Sequence, residues 1–319
     1  MRPIPPVRRR RRSDYPRSGA FFLPAQSQSP SAERIAAAPG VADTSRLVGA
    51  VAELCFWAMP HLPLEAAPAL GSSQLYYEVA GSGPALVFAH GLGGNHISWW
   101  QQVPAFCDRF TCVTFAHRGF HPSTGDADPA AYAGDLLALT DHLKIDRASL
   151  VAQSMGGWTC VDFALRHPER VERLLLADTT GTVRFPEEDS APAAAGTAAE
   201  ELARRGIHPA CGARMAAEQP ALHNLYRELD ALSASLDKTA VRAELGRLRT
   251  VAPDLLAATG IRLMWVWGAE DVVLSPALAE LARTHFPRAR VEVVPEAGHS
   301  VYFERAAEFN RLLGEFLLG

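Results

Sequence analysis

Downstream of residue 73, short apolar runs alternate with amphipathic stretches. The runs at 85–89, 111–116, 148–153, 174–177, 263–267 and 291–294 have the length and apolarity of strands buried on both faces. Residues 74–79 alternate instead, as a half-exposed antiparallel strand does. Between the runs, 98–106, 135–143 and 156–166 carry helical spacing, and in the last of these Trp158, Val161, Phe163 and Leu165 can bury one face. Strands alternating with helices predict an α/β fold: a mainly parallel, twisted sheet flanked by helices. The alternation is interrupted once. Residues 184–258 are rich in Ala, Leu, Glu and Arg, carry Leu225, Leu229, Leu232 and Leu236 at helical intervals, and far exceed an ordinary connection. They predict an inserted helical cap or lid, leaving 67–183 and 259–319 as the core.

The junction between the strand at 148–153 and the helix at 156–166 carries the most chemistry. A sharp turn there would hold Ser154 in a strained backbone conformation with its hydroxyl exposed. Strand and helix then approach closely, which requires small residues two positions before and two after the serine; Ala152 and Gly156 supply them. A serine hydroxyl is too weakly acidic to attack an acyl group unaided, so it needs a base, a residue that orients the base, and an oxyanion site. His299 follows the run at 291–294, and Asp271 closes Gly268-Ala269-Glu270-Asp271 after the run at 263–267, so both fall in loops at strand ends. Asp178 closes another strand and is the alternative acid. Upstream, His90-Gly91-Leu92-Gly93-Gly94 follows the run at 85–89, and the backbone amides of Leu92 and Met155 are the candidate oxyanion donors. Trp99, Trp100 and Trp158 flank these loops and are candidates equally for a substrate pocket and for the core. Arg204, Arg205, His208 and Arg214 are candidates for an anionic substrate, or for a solvated face.

These segments, in this order, resemble the α/β-hydrolase fold family, whose triad runs Ser, Asp, His along the sequence. The resemblance extends from about Gln74 to the C-terminus. It implies Ser154 as nucleophile, His299 as base and Asp271 as the orienting acid. A serine at this turn sets the chain apart from the epoxide hydrolase and haloalkane dehalogenase branches, which carry aspartate there. After the strand at 111–116 the family commonly shows Asp-x-Arg-Gly-x-Gly-x-Ser. This chain keeps Arg118, Gly119 and Ser123 but has Ala116 and His121 in place of the aspartate and second glycine. The resemblance further implies a cap that sets substrate choice, no cofactor, and an esterase or enol-lactonase-like serine hydrolase. Such an enzyme would cleave a small carboxylic ester or lactone through an acyl-enzyme. Carbon-carbon bond hydrolases of ring-fission products, and ligand-binding or signalling members with little turnover, are the alternatives.

Composition narrows the classes. A chain of 319 residues that is 48% hydrophobic can bury a sizeable core, and a net charge of -4 gives no general affinity for nucleic acid. Five cysteines, Cys55, Cys107, Cys112, Cys160 and Cys211, lack metal-ligand spacing and read as reduced thiols of a cytoplasmic protein. His117 and His121 are four apart, but Gly119 and Pro122 oppose the helix that would place both on one metal, so no metal is expected. The first residues differ in character: an unbroken basic run from Arg8 to Arg12 leads into a stretch rich in Pro, Ser and Ala. The apolar stretch 47–59 is too short, and interrupted by Glu53, to be a membrane span. Residues 1–66 therefore read as a disordered or poorly ordered extension, with Met59 a candidate second start of translation. No pattern in the chain points to an oligomeric state.

Overall fold

In a computed structural model of the chain, residues 61–64, 73–190 and 195–319 are described. Eight strands form one sheet in the order β1-β2-β4-β3-β5-β6-β7-β8. They are β1 (His61–Leu64), β2 (Ser73–Ala80), β3 (Ala85–Ala89), β4 (Thr111–Phe115), β5 (Ala148–Gln153), β6 (Val171–Ala177), β7 (Arg262–Gly268) and β8 (Arg290–Val294). β2 lies antiparallel to both β1 and β4, and every other pairing is parallel. The central strand β5 is buried at every position, as its mostly apolar sequence predicts. Successive residues feed opposite faces. Leu150, Leu174 and Trp265 join one hydrophobic cluster, while their neighbours Val151, Leu175 and Met264 join the other.

Four helices that follow strands complete the core: α2 (Tyr132–His142), α3 (Gly156–Arg166), α9 (Leu278–His285) and α11 (Ala306–Leu318). The expected helix at 98–106 is broken into a 3-10 turn, His96–Trp99, and the short α1 (Val103–Phe106). Pro104 is the reason, because it has no N–H to give the Trp100 carbonyl of a continuous helix and is tolerated only in a first turn. The expected poorly ordered extension is corrected at its end. His61 lies opposite Tyr76 and Leu64 opposite Ser73, with Leu62 and Leu64 turned into the core, so 61–64 is the edge strand of the sheet. Both the Arg8–Arg12 run and the stretch 47–59 lie outside the described residues.

Between β6 and β7 stand α4 (Ala195–Arg204), α5 (Gly212–Glu218), α6 (Pro220–Ala231), α7 (Lys238–Leu248) and α8 (Pro253–Ala258). The leucine stripe is not their buried seam: α6 ends at Ala231 and buries His223, Tyr226 and Leu229, while Leu225 and Leu232 are exposed. Among the described residues no helix is long and apolar enough to cross a membrane. The last short helix, α10 (Val301–Glu304), directly follows His299.

Candidate active site

Ser154 occupies the turn between β5 and α3 with φ at 48°, a left-handed conformation that costs a non-glycine residue about 1–3 kcal/mol. The surroundings enforce it. The Ser154 amide donates to the Ala177 carbonyl at 3.0 Å, and the Gly157 amide donates to the Ser154 carbonyl at 2.9 Å. A Cβ on Gly156 would overlap the Ala89 carbonyl oxygen, so only glycine lets α3 start this close to β3. The N-terminus of α3, with its partial positive charge, thereby opens beside the serine.

The loops after β7 and β8 meet at this turn. His299 Nε2 lies 2.8 Å from Ser154 Oγ, and His299 Nδ1 lies 2.7 Å from Asp271 Oδ2. Asp271 is itself held, since its Oδ1 accepts the amides of Val273 at 2.7 Å and Leu274 at 2.9 Å. A carboxylate only accepts, so Nδ1 carries the proton and Nε2 offers its lone pair to the hydroxyl. Gln153, which precedes the serine, was not singled out in the sequence. Its Nε2 donates to the His299 carbonyl at 2.8 Å and ties the histidine loop to β5. Its signal was a polar residue closing an otherwise apolar buried strand.

Asp178 stands nearby but not on the imidazole. Its two oxygens accept the amides of Gly268 at 2.9 Å and Val301 at 3.3 Å, so it joins the ends of β6 and β7 to α10. Burial pushes its carboxyl well above the usual range, and the charge of Asp271 adds to the effect. Glu304 buttresses the same loop, accepting the Gly298 amide at 2.5 Å, and burial pushes its carboxyl up to about 8.

Ser154 and His299 open onto a cavity of about 400 Å³. Leu92, Met155, Trp158, Leu245, Val273 and Leu274 form its apolar wall. Trp158 donates its indole N–H to the Leu245 carbonyl at 2.8 Å, fixing α7 over the site. Trp99 is corrected to a core residue. It is fully buried, its ring 5.1 Å from Phe88 and 4.4 Å from Tyr302, and it does not line the cavity. Of the four basic residues singled out, His208 alone reaches the cavity; Arg214 is paired with Glu270, and Arg204 with Glu201 at the surface. Lys238, Arg242 and Arg249 line it instead. Cys107, Cys112, Cys160 and Cys211 are free thiols, and among the described residues no three His, Cys, Asp or Glu side chains converge as a metal site would need.

A profile of the alpha/beta hydrolase fold matches residues 84–206, from the start of β3 through the serine turn and into the inserted helices. The chain has the α/β-hydrolase fold. An uncharacterized protein of Mycobacterium tuberculosis (strain ATCC 25618 / H37Rv) is 28% identical over 265 residues, covering 76% of this chain and 77% of its own. Among solved structures, a thermophilic esterase from Thermogutta terrifontis shares 25% identity with a TM-score of 0.64, over 82% of this chain and 98% of that one. A structure described as an N-acyl homoserine lactone degrading enzyme shares 27% identity with a TM-score of 0.66, over 81% of this chain and 100% of that one.

The chain rebuilds the segment in which it departs from the pattern common among proteins of this fold. His117 donates its amide to His90 Nε2 at 3.0 Å, its Nδ1 lies 3.0 Å from the same atom, and its Nε2 lies 2.8 Å from Thr159 Oγ1. His90 Nδ1 in turn sits 2.8 Å from the Gly91 carbonyl, at the root of the loop that carries Leu92. The chain is satisfied when both rings are neutral with the proton on Nδ1 and Thr159 donates to His117. Burial lowers His90 to about 3 and His117 well below its ordinary value.

A group whose folded pKa is depressed binds its proton first in the unfolded chain. Its contribution to stability is therefore present above the unfolded value of about 6.5 and is lost as pH falls below it. Glu304 and Asp178, shifted upward, oppose this in the whole protein, so the comparison must be differential. In urea unfolding, the stability gap between wild type and His117→Phe is expected to narrow by about 1.4 kcal/mol per pH unit below about 6.5. A gap that stays constant from pH 7 to pH 5 would show that His117 titrates alike in the folded and unfolded chains.

Proposed function

We propose that this α/β-hydrolase is a serine hydrolase that cleaves a small carboxylic ester or lactone through an acyl-enzyme. The observation that carries the reading is the relay itself. Asp271, His299 and the Ser154 hydroxyl are linked by contacts of 2.7 and 2.8 Å, with the hydroxyl facing a cavity. His299 Nε2 takes the hydroxyl proton as Ser154 Oγ attacks the acyl carbon, and Asp271 stabilises the imidazolium that results. The oxyanion of the tetrahedral intermediate is assigned to the amides of Leu92 and Met155, whose residues border the cavity beside Ser154 at the head of α3. His299 then protonates the leaving oxygen, and water, activated by the same imidazole, releases the acyl group.

The inserted helices act as the cap of this site. Trp158, Leu245 and Leu274 give the acyl or alcohol portion an apolar wall, and a cavity of about 400 Å³ suits a small substrate. The esterase and the lactone-degrading enzyme to which the chain is similar support the same bond type.

The test is turnover of 4-nitrophenyl esters of increasing acyl length, together with a lactone series. Short and medium esters are expected to be hydrolysed, with a sharp decline once the acyl chain outgrows the cavity and an acyl adduct on Ser154 detectable by intact-mass measurement. Absence of turnover across both series would overturn the reading in favour of carbon-carbon cleavage or ligand binding.

A further inference from the structure

α7 and the residue that follows it turn one face toward the cavity. Lys238, Arg242, Leu245 and Arg249, spaced four, three and four apart, all line it. Two of the three cations on this face are already committed. Lys238 Nζ donates to Asp230 Oδ1 at 2.6 Å and to the Asp230 carbonyl at 3.1 Å. Arg249 donates to Glu188 Oε1 at 2.8 Å, to Thr180 Oγ1 at 2.8 Å and to the Val183 carbonyl at 3.1 Å. Arg242 lies between them, exposed at the rim of the cavity, and among the described residues it has no carboxylate or carbonyl partner.

The acids on the same wall do not neutralise it. Asp230 is shared by Lys238 and by His208, whose Nε2 lies 3.6 Å away. Asp178 is buried, and that burial disfavours its charged form. Glu244, two residues further along, is paired with Arg247. The helix that carries Arg242 is anchored one turn further on by the Trp158 bond to Leu245, so the guanidinium projects from a fixed position. The cavity therefore combines an apolar wall around Ser154 with one uncommitted planar cation at its outer edge. Arginine in that position offers paired N–H groups that match the two oxygens of a carboxylate.

We propose that Arg242 receives a carboxylate carried by the substrate on the side remote from the scissile carbonyl. The preferred substrates are then monoanionic, such as half-esters of small dicarboxylic acids or lactones bearing a carboxylate. This inference rests on the proposed ester or lactone hydrolysis and names the substrate class for it.

The test compares a matched pair, mono-4-nitrophenyl glutarate and methyl 4-nitrophenyl glutarate, which differ in one charge and one methyl group. Wild type is expected to show the higher kcat/KM on the anionic member, with a preference that weakens as salt is added. Arg242→Gln should lower the ratio of anionic to neutral kcat/KM by about fivefold or more, and Arg242→Lys, which keeps the charge without the fork, should fall between. Turnover of both esters with the same ratio in wild type and Arg242→Gln would overturn the inference and leave ester hydrolysis standing. Turnover of neither ester by wild type would remove both.

Discussion

Ser154→Ala is expected to lower kcat for ester hydrolysis by about 10⁵- to 10⁶-fold, with KM within a few-fold of wild type where chemistry limits turnover. That loss corresponds to roughly 7–8 kcal/mol of transition-state stabilisation. In the proposed mechanism the oxygen removed is the atom that forms the acyl bond, so no neighbouring group replaces it. The apolar wall and the amides proposed to hold the oxyanion remain, so binding and a small residual rate are expected to persist. Folding should be little affected, because alanine meets the same left-handed backbone at φ 48° that serine does. Parallel measurements of kcat and melting temperature on the two proteins decide the matter. A variant that kept more than about a hundredth of the activity would place the nucleophile elsewhere.

The elements that carry Ser154 were legible in the sequence because both obey local rules. β5 is a short, mostly apolar run, and α3 begins at a glycine that its neighbour β3 demands. Such constraints leave a trace in the chain itself. Partnership across the sheet does not. Asp178 and Asp271 both follow strands and both end in the same buried region, and what separates them is that only Asp271 meets the His299 imidazole, a matter of tertiary distance. Trp99 and Trp158 are equally close in sequence to the site loops, yet only Trp158 stands on a helix face turned to the cavity.

The same holds for charge. Arg204, Arg205 and Arg214 cluster in sequence, but Arg242 reaches the cavity because α7 repeats its wall-facing positions at helical intervals. That periodicity was present in the chain as Lys238, Arg242, Leu245 and Arg249, but it was not singled out because three of its four positions are basic, a pattern that solvated surface also shows. The edge strand β1 was missed for another reason. It has four residues and a proline at Pro63, and only its pairing with β2 identifies it.

The second large effect separates the two acids. Asp271→Asn is expected to reduce kcat by about 10⁴-fold with little change in fold. The asparagine oxygen can still accept the amides of Val273 and Leu274, which leaves the amide nitrogen facing His299 Nδ1. An N–H there cannot accept a proton, so the imidazole must present its Nδ1 lone pair and move its own proton to Nε2. In that tautomer it no longer accepts the Ser154 proton, although every heavy atom stays in place. Asp178→Asn has the opposite signature. One of its two acceptors becomes a donor directed at the Val301 amide, leaving a buried pair of N–H groups in conflict at a cost of about 1–3 kcal/mol. The imidazole keeps its partner, so a lower melting temperature is expected with kcat within about tenfold of wild type, because the strain falls on α10 and reaches His299 only through the backbone. If Asp178→Asn abolished turnover while Asp271→Asn kept it, Asp178 would be the acid of this hydrolase. The contact at 2.7 Å between Asp271 and His299 would then belong to a resting arrangement that changes before the serine attacks.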